Sequence, residues 1–247
     1  MNTYEGIADC YDLLMGAGYY DHEAMAKAAD AVIGEGSSVL EIGVGTGMFA
    51  QCLTNTSPAC EITGVDFTPA MLEIAAERVG DDVELVQADV TTMDLGRTFD
   101  TSISSGGVWV VIRDDDEILL GTHLQDYDDE VTGLQNVNRH LEPDGLLLLS
   151  IQDMHHDLSQ ELDDGIVYSQ RVSRTDQPDD EHFMIEKQYC FTRGPEVIAE
   201  ETLHLGFYRR TAMDRILDDA GFLPEGVDDS GRFYVYEKAP VGAGSPT

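Results

Sequence analysis

The segment Val39-Leu40-Glu41-Ile42-Gly43-Val44-Gly45-Thr46-Gly47 sets an acid two residues ahead of three alternating glycines. Glycines let a backbone pass close to a ligand, and the helix start that follows such a turn offers free N–H donors. A dinucleotide-binding turn spaces its glycines G-x-G-x-x-G. Here the spacing is G-x-G-x-G, and Met48 occupies the place of the third fingerprint glycine. Glu41 suits a ligand that carries an ammonium group and no pyrophosphate. Asp66 closes the run Glu61-Ile62-Thr63-Gly64-Val65, where a carboxylate at a sheet edge can accept from both hydroxyls of a ribose. Asp89 follows Val83 to Ala88 and can accept from an adenine amino group while the neighbouring backbone reads the ring. Each acid is ordinary alone; three at successive strand ends, one beside a glycine turn, are not.

The elements that must position them read as an alternation of strands and helices. Amphipathic helices are expected over 4–15 and 21–33, separated by Gly16-Ala17-Gly18. Strands follow over 38–43, 61–66, 83–88, 98–105 and 146–151. Helices lie between them over 46–55, from Thr68-Pro69 (N-cap and first turn) to about Val79, and over 127–141, the last stopped by Pro143 and Asp144-Gly145. Such alternation predicts an α/β fold: a Rossmann-like, doubly wound, mostly parallel sheet with helices on both faces. After Ile151 the rhythm changes. Residues 165–175, 182–192 and 196–207, rich in Val, Ile, Tyr, Phe and Thr, predict an antiparallel β-rich insert after strand five. A helix over 211–220 and a strand over 233–236 return to the core. One domain is expected over 1–247: a helical lid 1–34, a core 35–151, a substrate-side insert 152–207, a return 208–240 and a frayed tail 241–247.

The pattern resembles the class I S-adenosylmethionine (SAM) dependent methyltransferases, specifically over residues 35–151. The resemblance implies that Glu41, Gly43, Gly45 and Gly47 hold the methionine part of SAM, Asp66 the ribose, and Asp89 with Val90 the adenine, flanked by Phe67 and Met71. It also implies that Ser105, at the end of strand four, lies near the sulfonium. Tyr11-Asp12, Tyr19-Tyr20 and the β-rich insert are similar to small-molecule N-methyltransferases of the aminosugar and glycine type, in which tyrosines such as Tyr11 and Tyr20 line the site. Met15, where some relatives carry an aromatic residue, and an apparent insertion over 112–126 depart from that narrower pattern.

On the acceptor side, Trp109, the only tryptophan, could stack on a substrate or contact the cation. Gln152 and Asp153 follow strand five, where α/β sites receive substrate. His155 and His156 come next; either could act as base toward a hydroxyl. The spacing of Asp153, His155 and His156 does not define a metal site. The reading is methyl transfer from SAM, leaving S-adenosylhomocysteine, to a nitrogen or oxygen of a small molecule. A non-catalytic SAM-binding scaffold and a protein or RNA methyltransferase stand as alternatives.

Composition narrows the partners. Asp and Glu number 48 against 14 Lys and Arg, a formal charge of −34, and only Lys27, Lys187 and Lys238 are lysines. A surface this acidic repels itself in dilute buffer and is tolerable when salt screens it, which points to a halophile. No basic stripe offers phosphate contacts, which argues against nucleic acid. No eighteen-residue apolar run and no secretory signal are read, so no membrane partner is expected and the expected compartment is the cytoplasm. Cys10, Cys52, Cys60 and Cys190 show no CxxC spacing and read as reduced thiols. The expected assembly is a monomer or homodimer.

Overall fold

The computed structural model of the chain describes residues 3–115, 117–175 and 181–240; the expected tail over 241–247 lies outside them. The core strands are β1 (Ser38–Ile42), β2 (Glu61–Asp66), β3 (Val83–Gln87), β4 (Phe99–Ser104) and β7 (Leu141–Asp153). They pair in the parallel order β3-β2-β1-β4-β7. A closing hairpin, β12 (Phe222–Val227) with β13 (Phe233–Lys238), adds β13 antiparallel to β7.

Alternation along each buried strand builds two cores. Val39, Ile62, Ile103 and Leu148 face one side, against α2 (His22–Asp30), α3 (Met48–Thr56) and Val79 at the end of α4 (Pro69–Val79). Leu40, Ile42, Val65, Leu147 and Leu149 face the other, against α5 (Tyr127–Arg139) and α6 (Arg210–Asp219). Helices therefore cover both faces, as a parallel sheet requires. Thr68 does stand at the N-cap of α4, but its side chain makes no capping bond.

The stretch after Gly107 differs from expectation. In place of an irregular insertion, β5 (Trp109–Asp114) and β6 (Glu117–Thr122) form an antiparallel hairpin, turning at Asp115 with φ 51°. Its apolar residues face inward, and the acidic turn between them hides the pairing in sequence. Strand β7 is longer than the apolar run suggests. Its first half belongs to the parallel sheet, and its last three residues, Ile151 to Asp153, leave to pair with β5. From there β6 pairs with β11 (Glu196–Arg209), then β10 (His182–Arg193), β9 (Ile166–Thr175) and β8 (Leu158–Glu161). The β-rich insert is thus continuous with the core sheet through a hairpin, and its first strand β8 was not anticipated.

The N-terminal segment forms α1 (Ala8–Leu14), running directly into a π-helical turn over Met15–Tyr19, with Gly18 at φ 87°. Ile7, Cys10, Leu14 and Met15 pack with Tyr168, Phe183, Phe191 and Leu203 in a third core. The expected lid is therefore bound to the insert, and the break between its helices falls at the left-handed Gly18 and the extended Tyr20.

Candidate active site

The glycine turn is built by three different constraints. Gly43 has φ 72°, and a Cβ there would fall 2.6 Å from the Gly107 Cα, so this glycine lets two backbones cross. Gly47 at φ 79° lies against Ala75 and Val79 of α4; it is a packing residue and lines none of the cavities described below. Gly45, φ 55°, has open space where its Cβ would be. Its N–H donates to Asp66 Oδ2 at 2.9 Å, and the Thr68 N–H donates to Asp66 Oδ1 at 2.9 Å. Burial raises the Asp66 carboxyl, opposed by these backbone donors. Each oxygen keeps a further lone pair for a ligand.

Three cavities adjoin along the carboxyl edge of the parallel strands. The first, about 830 Å³ including its open mouth, is lined by Asp66, Phe67, Met71, Asp89 and Val90 together with Gly43 and Gly45. Asp89 is oriented by the Thr91 N–H and hydroxyl, which donate to its Oδ1 at 2.8 and 2.7 Å. The second holds Glu41 and Ser105 with Tyr20 and Thr46. The third is lined by Tyr4, Tyr20, His123, Gln152, His155 and Tyr189 among others. Tyr11 and Gly106 line all three, which makes their neighbourhood the junction.

Glu41 is the unusual group of the second cavity. It is 1% exposed. The Ser105 hydroxyl donates to Oε1 at 2.7 Å, and Oε2 has no partner. Burial pushes its carboxyl up to about 8, with the Ser105 bond opposing. A buried carboxylate oxygen left unpaired is costly unless a cation meets it.

On the acceptor side the structure separates residues that adjoin in sequence. Gln152 and His155 line both the third cavity and an outer groove, whereas Asp153 and His156 line only the groove. The Tyr20 hydroxyl donates to Gln152 Oε1 at 3.0 Å, so lid and β7 meet in the wall between them. Asp153 lies 3.6 Å from Arg113 in an exposed pair. Trp109 requires a correction. It is 0% exposed, packed in the core under α5, and its Nε1–H donates to Glu130 Oε2 at 2.6 Å. The first residue of β5 points away from the cavity, so Trp109 cannot stack on a substrate there. Among the described residues no group of three His, Cys, Asp or Glu side chains is gathered to hold a metal ion.

Sequence reasoning missed Lys187. It is 0% exposed on β10; its Nζ donates to the Tyr19 hydroxyl at 2.6 Å and lies 2.9 Å from His155 Nδ1. Among the described residues no carboxylate pairs with it. Burial lowers its ammonium to about 7. Burial and then Lys187 lower His155 to about 3 and His123 to about 4, so both rings stay neutral at physiological pH. A signal did exist: Lys187 stands at the inward parity of a strand whose like positions are Phe183, Ile185, Tyr189 and Phe191.

Residues 39–145 match the family described as "Methyltransferase domain". Together with the sheet order and the cleft at its carboxyl edge, this defines the class of fold as that of the Rossmann-like methyltransferases. Among solved structures, DesVI of Streptomyces venezuelae is similar at 19% identity and TM-score 0.69, over 94% of this chain and 98% of that one. SAM-bound CalS10, an amino pentose methyltransferase from Micromonospora echinaspora, is similar at 18% identity and TM-score 0.69, over 93% of this chain and 96% of that one. A malonyl-[acyl-carrier protein] O-methyltransferase of Priestia megaterium is 30% identical over 104 residues, 42% of this chain and 36% of that enzyme. Demethylmenaquinone methyltransferase of Staphylococcus aureus is 26% identical over 152 residues, 59% of this chain and 57% of that enzyme. The chain thus spans well under two thirds of the length of both.

Proposed function

We propose that this chain is a methyltransferase that moves the methyl group of SAM to a nitrogen or oxygen of a small-molecule acceptor. One observation carries the reading: the buried, unpartnered Oε2 of Glu41 in a cavity that joins, at Tyr11 and Gly106, the cleft lined by Asp66 and Asp89. That layout fits the three parts of SAM. Glu41 receives the ammonium group, Asp66 offers its outer lone pairs to the ribose hydroxyls, and Asp89 with the Val90 backbone receives adenine between Phe67 and Met71. When bound, SAM supplies a methyl group on a sulfonium. The chain's own residues align an acceptor with it and exclude water, which is most of what an in-line displacement needs.

The third cavity, walled by tyrosines, Gln152 and His155, is the acceptor's place, with the outer groove as its approach. Its enclosure favours a small molecule over a macromolecule, and the charge of −34 argues further against nucleic acid. The same charge supports a salt-rich cytoplasm as the working compartment; no helix among the described residues is long and apolar enough to cross a membrane. Calorimetry with SAM, S-adenosylhomocysteine and NADH, followed by assay of S-adenosylhomocysteine formation with pooled cell metabolites, tests the reading. Binding of NADH in preference to SAM, or SAM binding without turnover of any metabolite, would overturn it.

A further inference from the structure

The polar groups of the third cavity define the charge of the acceptor. Its lining contains no aspartate or glutamate. Its tyrosine hydroxyls, at Tyr4, Tyr11, Tyr20 and Tyr189, are pushed up by burial and keep their protons. Its two histidines are neutral. Immediately behind His155 stands Lys187, the one fully buried cation among the described residues, held by Tyr19 and His155 and 4.6 Å from the centroid of the Tyr189 ring. As an ammonium, Lys187 has only protons to offer, so it donates to His155 Nδ1. The imidazole then carries its own hydrogen on Nε2, the nitrogen left for the cavity. His155 in this tautomer is a donor and not a base.

This arrangement favours an anionic nucleophile over a hydroxyl or an ammonium. A neutral hydroxyl finds nothing to take its proton. An ammonium finds no carboxylate to pair with and faces the field of Lys187. An oxygen that is already anionic meets an Nε2–H backed by a positive charge, a charge-assisted arrangement. We propose that the third cavity takes a carboxylate-bearing small molecule, that His155 holds one carboxylate oxygen through Nε2–H, and that Lys187 is the positioning residue that fixes this tautomer. The proposal rests on the methyltransferase reading above. In the step, a carboxylate oxygen forms the new C–O bond while the C–S bond to the transferred methyl breaks and its electron pair stays on sulfur. The product is a methyl ester and no proton moves.

The test uses the full chain loaded with S-adenosylhomocysteine, whose binding is measured first. Absence of binding defeats the methyltransferase reading itself; binding leaves that reading standing and exposes the proposal to its own test. Long-range 1H–15N NMR of histidine-labelled protein then reads the His155 ring at pH 6.5, a value below the titration of Lys187 at about 7. The expected result is a hydrogen on Nε2 and none on Nδ1. Benzoate is expected to shift the His155 signals and to bind roughly tenfold or more tighter than benzylammonium, the size of one hydrogen bond to a charged group. Lys187→Met should remove both the tautomer bias and the preference for benzoate while leaving S-adenosylhomocysteine affinity intact. A hydrogen on Nδ1, equal or tighter binding of benzylammonium, or an unchanged preference in Lys187→Met overturns the proposal. Should Lys187→Met not fold, the wild-type pH profile decides. Tyr19, His155, His123 and Tyr189 surround Lys187 and stay neutral through this range, so benzoate affinity must fall as pH rises past about 7 and Lys187 gives up its proton. Affinity that is flat or rises overturns it equally.

Discussion

The Thr46 hydroxyl donates to Asp12 Oδ1 at 2.7 Å, joining α1 to the glycine turn. Arg78 of α4 completes the junction, donating to Asp12 Oδ2 and to the Thr46 carbonyl. Asp12 thus ties the lid to the glycine turn and to α4, in addition to the lid's packing on the insert. Asp12→Ala should leave Arg78 with the Thr46 carbonyl alone and loosen residues 8–19. Hydrogen exchange there is expected to speed up, and S-adenosylhomocysteine affinity to fall by about 1–2 kcal/mol, part of a charged hydrogen bond's worth. Unchanged exchange over α1 would mean that its packing on the insert, and not Asp12, holds it.

Asp66 is held by the Gly45 and Thr68 amides in the lining of the first cavity. Asp66→Ala is expected to weaken SAM binding by about 1.5–3 kcal/mol, through loss of charge-assisted bonds to a ribose diol and of the Gly45 amide's partner. Equal calorimetric affinity in a folded variant removes Asp66 from the site.

Glu41 gives a pH signature. Its folded carboxyl sits at about 8 against an ordinary 4.5, so the folded, ligand-free chain holds a proton that the unfolded chain has released. Stability from this group is therefore fully present below about 4.5 and is lost as pH rises toward about 8. Glu41→Gln should flatten that slope in thermal melts. A ligand ammonium at Oε2 must displace the proton, so calorimetry in buffers of different ionisation enthalpy is expected to record proton release near pH 7 in wild type and less in Glu41→Gln. Identical proton release in the two proteins would separate Glu41 from the ligand.

Trp109 and Glu130 form a buried pair, and Glu130 Oε1 is already without a partner. Trp109→Phe should cost about 1–3 kcal/mol of stability by taking a donor from a buried carboxyl, with S-adenosylhomocysteine affinity little changed. A loss of affinity at full stability would return Trp109 to the ligand.

The excess of acids makes stability depend on salt. Repulsion reaches about 10 Å at 0.1 M salt and about 3 Å at 1 M. Melting temperature is expected to climb as KCl rises from about 0.1 M toward molar concentrations, by about 2–4 °C for each kcal/mol of repulsion relieved in a chain this size. A flat curve would mean that the acids are locally compensated.

The sequence by itself determined the parallel core and the placing of three acids along its carboxyl edge. The positions of Glu41, Asp66 and Asp89 were readable because each lies at or just past the end of a short apolar strand, and in a parallel sheet all such ends share one edge. The three long strands of the insert were readable because each is rich in Val, Ile, Tyr, Phe and Thr over ten or more positions. What only the tertiary structure decided lies where side chains meet across distant segments. The β5–β6 hairpin hides behind an acidic turn, because local charge says nothing of the neighbour a strand will find in β7 and β11. Trp109 looked like a ligand-facing aromatic, and the parity of β5 turned it into the core against Glu130. Adjacent His155 and His156 were indistinguishable in sequence; the path of the chain after β7 sets the first beside the cavity and the second outside. Lys187 lies 32 residues from His155, and no periodicity along one strand could reveal that its ammonium would be buried against that ring. Periodicity reports which face of an element is apolar; which group waits on the other side is fixed only when the elements pack.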